Sequence, residues 1–409
     1  MMETREANKG NTKKMRLKGA FFVLSLLFLF IVFWLGYQYG QSGTLLGVAP
    51  SGVTNSDKGK PSDVDFSLFW EAWNKLRQKS VSPPDNQKMM YGAISGMLGA
   101  TNDPYTVFFT PEDNKRFKED IQGEFDGIGV EIVIKNNYPT VVAPLSNSPA
   151  EKAGLRAGDI IVEVDGVKTD TIGFNETIDR IRGVKGTQVA LKVIREGKEE
   201  PIPLSITREK IVVKSVEWES KTENGKKIAI VKVRQFGDDT SNLFEEFADQ
   251  AAKSKPDGII VDLRNDPGGY LETSIDLASY FLDGGVVVSE KDRSGDTKEY
   301  KTTRKAKLQK IPLVVLVNQG SASASEIFAG AIQDRGVGKI VGEKTFGKGS
   351  VQELSELSDD SAVKITVAAW LTPKGRVING EGITPDVVVE SPENSKDDVQ
   401  LNKAIELLK

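Results

Sequence analysis

From Lys227 to Asp334 the chain alternates between two periodicities, and this alternation narrows its fold more than any other feature. The runs "KIAIVKVRQF", "GIIVDLR" and "IPLVVLVN" are apolar through their centres, as strands covered on both faces are. Between and after them, "TSNLFEEFADQAAKS", "YLETSIDLASYFL" and "SASEIFAGAIQD" read as helices. Strand and helix in turn predict an α/β layer with crossover helices on a sheet. Ligands of such sheets gather at the carboxyl ends of the strands. Two of those ends stand out, "VDLRNDPGGY" and "VNQGSASASE".

Composition limits the chemistry that can occupy them. The 409 residues include no histidine and no cysteine. This removes disulfides, thiolate metal sites, a cysteine nucleophile, the commonest metal ligand and the commonest general base. No metal or cofactor is expected, and hydrolytic chemistry falls to Lys, Asp, Glu or water. The net charge of -4 is mixed along the sequence and leaves no basic stripe for phosphate backbones, so nucleic acid is not an expected partner.

The N-terminus predicts a location. Residues 1–18 hold six basic residues against two acidic ones, and the next 19 residues, Gly19 to Tyr37, carry no charge. As a helix that run spans about 28 Å, close to the hydrocarbon thickness of a bilayer. The basic flank keeps residues 1–18 in the cytoplasm and sends the rest of the chain outward, giving a single-pass protein of the cytoplasmic membrane. A cleaved signal peptide is the alternative, with "GVAP" placing Pro50 just after the cut.

Residues 38–65 are rich in Gly, Ser and Pro and read as a flexible tether. Residues 66–122 follow as a small helical layer. From Gly123 to Ile211, short β-branched runs ("FDGIGVEIVI", "PTVVAPL", "DIIVEVDG", "TQVALKVIR") surround two helical segments, "SPAEKAGL" and "FNETIDRIR". This order, with "GIGV" at 127–130, resembles a PDZ domain. The resemblance implies that the loop Gly127, Ile128, Gly129 and Val130 turns amides toward a peptide's terminal carboxylate, and that the strand after it offers an edge for an extended peptide.

At the second strand end, Ser323 lies where a buried strand gives way to a helix. Its hydroxyl is exposed to a site there, and the helix N-terminus offers unpaired amides to developing negative charge. Ser321, Ser323 and Ser325 are each also candidates for an N-cap. Without histidine, a lysine held neutral by burial is the remaining base, and Lys344 and Lys348 in "GEKTFGKGSVQ" are the local candidates. Lys348 lies between two glycines, and Gln352 four residues on is placed to orient its amine on a shared face.

The motifs "GSASASEI", "KTFGKGSVQ" and "DLRNDPGG", the PDZ-like region, "GMLGATNDPYTVFFTPED" and the ending "GITPDVVV...DVQLNKAIELL" together resemble the C-terminal processing peptidases, or tail-specific proteases. The resemblance runs from about residue 66 to the C-terminus. It implies a Ser-Lys dyad of Ser323 and Lys348 assisted by Gln352, and an oxyanion hole from the amides of Ala324 and Gly269, the latter favoured over Gly268. It also implies substrates that are proteins with exposed C-termini, and a homodimer formed through the helical layer and the C-terminal helix, although the same apolar faces could pack within one chain.

The expected architecture is therefore multidomain, α+β and α/β. It comprises a basic tail (1–18), a transmembrane helix (19–37), a linker (38–65), a helical region (66–122), a PDZ-like β domain (123–211), an α/β serine peptidase domain (212–395) and a C-terminal helix (396–409). The alternative function is a catalytically inactive, membrane-tethered PDZ scaffold that only binds peptides.

Overall fold

A computed structural model describes residues 63–408 except 136, 146, 199, 224 and 392–396, together with Phe33, Tyr37 and Gly59. The expected membrane span and most of the linker therefore lie outside the described residues. Among those described, no helix is long and apolar enough to cross a membrane. The chain divides into two compact units, one ending at Pro84 and one running from Asp85 to Lys409. The described helix of the first unit, Ser67–Lys79, buries none of its residues, and the rings of Phe69, Trp70 and Trp73 meet edge-on or tilted along it.

The second unit is built on a six-stranded sheet. Its order runs Val216–Glu223, Lys226–Val233, Gly258–Asp262, Leu313–Val317, Lys339–Gly342 and Val387–Val388. The first pair is an antiparallel hairpin and all later pairings are parallel. Successive side chains of a strand face opposite ways, and here each face has its own core. Ile259, Val261, Val315 and Val317 meet Phe244, Phe247 and Phe328 from the helices Thr240–Ser254 and Ala324–Arg335. Ile260, Val314 and Leu316 meet Ala404, Ile405 and Leu408 at the C-terminal helix Val399–Leu407. Each fully buried side chain of this size stabilises by about 1.5–3 kcal/mol. The C-terminal helix thus spends its apolar face within its own chain.

A second sheet, not anticipated from the sequence, joins Val107–Phe109, Ala362–Leu371, Val286–Asp292, Thr297–Lys301 and Ser350–Glu356. Through it, residues 107–109, expected in a helical layer, become a strand paired antiparallel with 362–364.

The region 123–211 forms a β domain around Ile128, Val141, Leu155, Ile161, Val164, Val189, Leu191 and Val193. Its main sheet begins at Val130–Lys135, which among the described residues pairs only with Tyr138–Pro144 and so stands at the edge. The helix Pro111–Gln122 links this domain to the rest: Arg116 and Asp120 pair with Asp179 and Arg182, and Lys118 pairs with Glu356.

Candidate active site

The strand Leu313–Val317 ends in a turn that leads into the helix Ala324–Arg335, and the three serines at this junction part ways. Ser321 and Ser325 are fully buried. Their hydroxyls donate to Leu263 O at 2.8 Å and Asp266 O at 3.0 Å, so both hold the neighbouring strand end. Ser323 is half-buried and has φ +54°, ψ −114°, a conformation that non-glycine residues rarely adopt. Such strain persists only where the surroundings impose it, and it is concentrated at functional sites.

The surroundings that impose it include Gly268. With φ +100°, a Cβ there would lie 2.7 Å from Ser323 Cβ and 2.9 Å from Ala324 N, so only glycine lets the first strand end approach the serine. Gly268 N–H donates to Asp266 Oδ1 at 2.8 Å and is committed. The N–H groups of Gly269 and Ala324 meet no acceptor among the described residues, which leaves these two amides beside Ser323 available to an incoming oxygen.

Lys348 lies in the loop before the strand Ser350–Glu356, half-buried, whereas Lys344 is exposed. Burial lowers the Lys348 pKa, and the negative charge of Glu326 partly opposes this. The Lys348 ammonium lies over the Tyr105 ring, 5.5 Å from its centroid. Tyr105 belongs to a turn secured by Asp103, whose carboxylate accepts from Tyr105 N–H at 3.1 Å and Thr106 Oγ1 at 2.6 Å.

Glu326 binds these parts together. Its Oε2 accepts from Ser323 N–H at 2.9 Å and Lys348 N–H at 2.8 Å; its Oε1 accepts from Thr345 Oγ1 at 2.6 Å and Gly347 N–H at 2.7 Å. Burial raises its pKa. Three of the four donors are amides that can only donate, so the carboxylate is the form that satisfies them all. Sequence reasoning had not singled out Glu326. The pattern Ser323-x-x-Glu326, the spacing of a capping box, was its only local signal. Tyr105 enters the sequence reading only as a letter of the motif "GMLGATNDPYTVFFTPED".

Gln352 stands differently from its expected arrangement. Its Nε2 donates to Ser350 Oγ at 2.6 Å and Ser350 O at 3.0 Å, back onto its own strand. Lys348 precedes that strand, and a bulge separates Val351 from Gln352, so the shared-face argument does not apply.

In the β domain, Ile128 is buried in the core and its carbonyl accepts from Ala150 N–H at 2.8 Å. Gly129 O accepts from Leu145 N–H at 3.0 Å, and Gly127 closes the preceding strand. The loop 127–130 therefore leads directly into the edge strand. Among the described residues, no cluster of acidic side chains could hold a metal ion.

A profile of Peptidase family S41 matches residues 227–389, and a PDZ domain profile matches residues 140–195. The chain is 37% identical over 347 residues to a probable CtpA-like serine protease of Staphylococcus aureus, covering 84% of this chain and 67% of that protein. It is 36% identical over 356 residues to a carboxy-terminal-processing protease of Bartonella bacilliformis, covering 86% of this chain and 80% of that one. Among solved structures it resembles a photosystem II D1 C-terminal processing protease, with TM-score 0.53 and 32% identity, covering 84% of this chain and 92% of that chain. These likenesses and the fold agree on one assignment: the chain belongs to peptidase family S41 and is a serine peptidase of the carboxy-terminal-processing kind.

Proposed function

We propose that the protein is a membrane-anchored endopeptidase in which Ser323 and Lys348 form a catalytic dyad. The observation that carries this reading is the attachment of both residues' amides to one oxygen of Glu326, with the lysine half-buried and its pKa lowered. Neutral Lys348 takes the Ser323 proton as the oxygen attacks a peptide carbonyl. The amides of Ala324 and Gly269 stabilise the oxyanion. Lys348 then protonates the leaving amine, and water repeats the sequence to free the acyl group. Gln352 assists from the strand that follows the lysine loop, where its Nε2 is held by Ser350.

In the same reading the PDZ domain takes the C-terminus of a protein substrate. Its carboxylate sits at Gly127 to Val130 and its chain pairs with the edge strand Val130–Lys135, where Val133 and Ile134 are exposed. The uncharged run from Gly19 to Tyr37 anchors the chain, with the peptidase outside the cytoplasmic membrane. Two copies associate through Ser67–Lys79, a helix that leaves Leu68 and Leu76 exposed. The test is degradation of an unfolded protein by the purified chain against its Ser323→Ala variant. Equal loss of substrate with both would remove the dyad from the account.

A further inference from the structure

Asp266 stands behind the Gly268–Gly269 turn, fully buried, and half of its carboxyl has no partner. Its backbone joins the two strand ends that form the site. The N–H donates to Leu263 O at 3.2 Å, and the carbonyl accepts from Ala322 N–H and Ser325 Oγ, each at 3.0 Å. Oδ1 accepts from Gly268 N–H at 2.8 Å, so this carboxyl fixes the first glycine of the turn, while Gly269 N–H meets no acceptor among the described residues. Oδ2 is buried with no hydrogen-bond partner among the described residues.

A dehydrated carboxylate oxygen without a donor is costly, whereas the protonated acid has no charge to desolvate. Burial accordingly pushes the Asp266 pKa well above the ordinary carboxylate range, against the opposing pull of the Gly268 N–H. No neighbouring charge enters that balance. Asp262 and Arg264, on its own strand end, pair with each other, and Arg264 also pairs with Asp398. Glu326, on the nucleophile's helix, is occupied by its four donors. Arg234, after the neighbouring strand, pairs with Glu217, and Glu272 on the following helix is exposed.

Resting on the Ser323 and Lys348 reading above, we propose that Asp266 is a positioning residue for the oxyanion site. As a neutral acid it holds the Gly268–Gly269 turn against Ser323. Once ionised, it places a buried negative charge against the turn whose Gly269 amide must receive a second one. Activity then has two requirements of opposite sign, a deprotonated Lys348 and a protonated Asp266, and its alkaline limb belongs to Asp266.

Asp266→Asn keeps the shape and the Oδ1 acceptor and cannot ionise. The full-length chain in detergent and this variant are compared for kcat/KM on an unfolded protein and for melting temperature, both across pH. An unfolded aspartate ionises near pH 4, while the folded one keeps its proton to higher pH. Wild-type stability is therefore lost as pH rises through that interval and levels off above the folded pKa. The melting-temperature gap in favour of Asp266→Asn should widen with pH and then become constant. The ratio of kcat/KM, variant to wild type, should climb from the same pH, by up to about tenfold per unit.

An active wild type with a ratio flat across pH overturns the inference, whether or not the melting gap changes. So does a folded variant inactive at every pH. A folded wild type inert at every pH overturns the serine peptidase reading itself, and this inference with it.

Discussion

The backbone amides of Ser323 and Lys348 donate to the same atom, Glu326 Oε2, at 2.9 and 2.8 Å. Two loops separated by a helix and a strand are thereby fixed to one another by a carboxylate. Its other oxygen holds Thr345 and Gly347, so the whole lysine loop is registered against the nucleophile turn.

Replacing that carboxylate should damage catalysis before binding. Glu326→Gln puts an amide NH2 opposite donors that cannot turn away, so kcat should fall about a hundredfold while KM changes little. Steady-state kinetics on one peptide substrate checks this, and a variant that changes only KM would remove the registration argument.

Lys348 should be costly to the fold as well as necessary to the chemistry. Its pKa is lowered by burial, so between that value and the ordinary lysine range the unfolded chain binds the proton more tightly. Native stability therefore rises with pH through this window. Lys348→Met should be inactive yet melt higher than wild type at neutral pH, with the gap closing as pH approaches about 10.5. A variant that melts lower at neutral pH would show that the ammonium is stabilised in place.

The carboxylate loop predicts a binding preference. A peptide with a free C-terminus should bind the PDZ domain at least about tenfold more tightly than the same peptide ending in an amide. Fluorescence anisotropy with Ser323→Ala, which cannot consume the ligand, reads the difference. Equal affinities would contradict the assignment of Gly127 to Val130.

Topology has its own outcome. Protease added outside spheroplasts should release a fragment that begins within residues 38–65. A mature N-terminus near Pro50 in untreated protein would show instead that the leading segment is removed.

The parts of this molecule legible in its sequence are those whose signal is local. The run "TSNLFEEFADQAAKS" became a helix over those same residues, and the apolar "GIIVD" and "LVVLV" became fully buried strands. Ser323 could be read because the change from strand to helix is itself local. The second sheet could not: strands such as Thr297–Lys301 are exposed and charged along most of their length and show no apolar alternation. Glu326 was equally silent, because three of its four partners lie 19 to 22 residues further on and meet it only through the tertiary fold. Tyr105 reaches Lys348 only because Val107–Phe109 pairs with a strand more than 250 residues away.

The most direct measurement is turnover of an unfolded protein substrate by wild type, Ser323→Ala, Lys348→Ala, Lys348→Arg and the double alanine variant, with Lys344→Ala and Ser321→Ala as comparisons. A nucleophile and its base act as one unit, so each loss should remove nearly all activity and the double variant should add little. Lys348→Arg should fail too, since a guanidinium stays protonated at any working pH. The exposed Lys344 can be removed with much of the activity retained, and Ser321→Ala should keep a substantial part of it. Substantial turnover by Lys348→Arg, or full loss in Lys344→Ala alone, would contradict the assignment of Lys348 as the base.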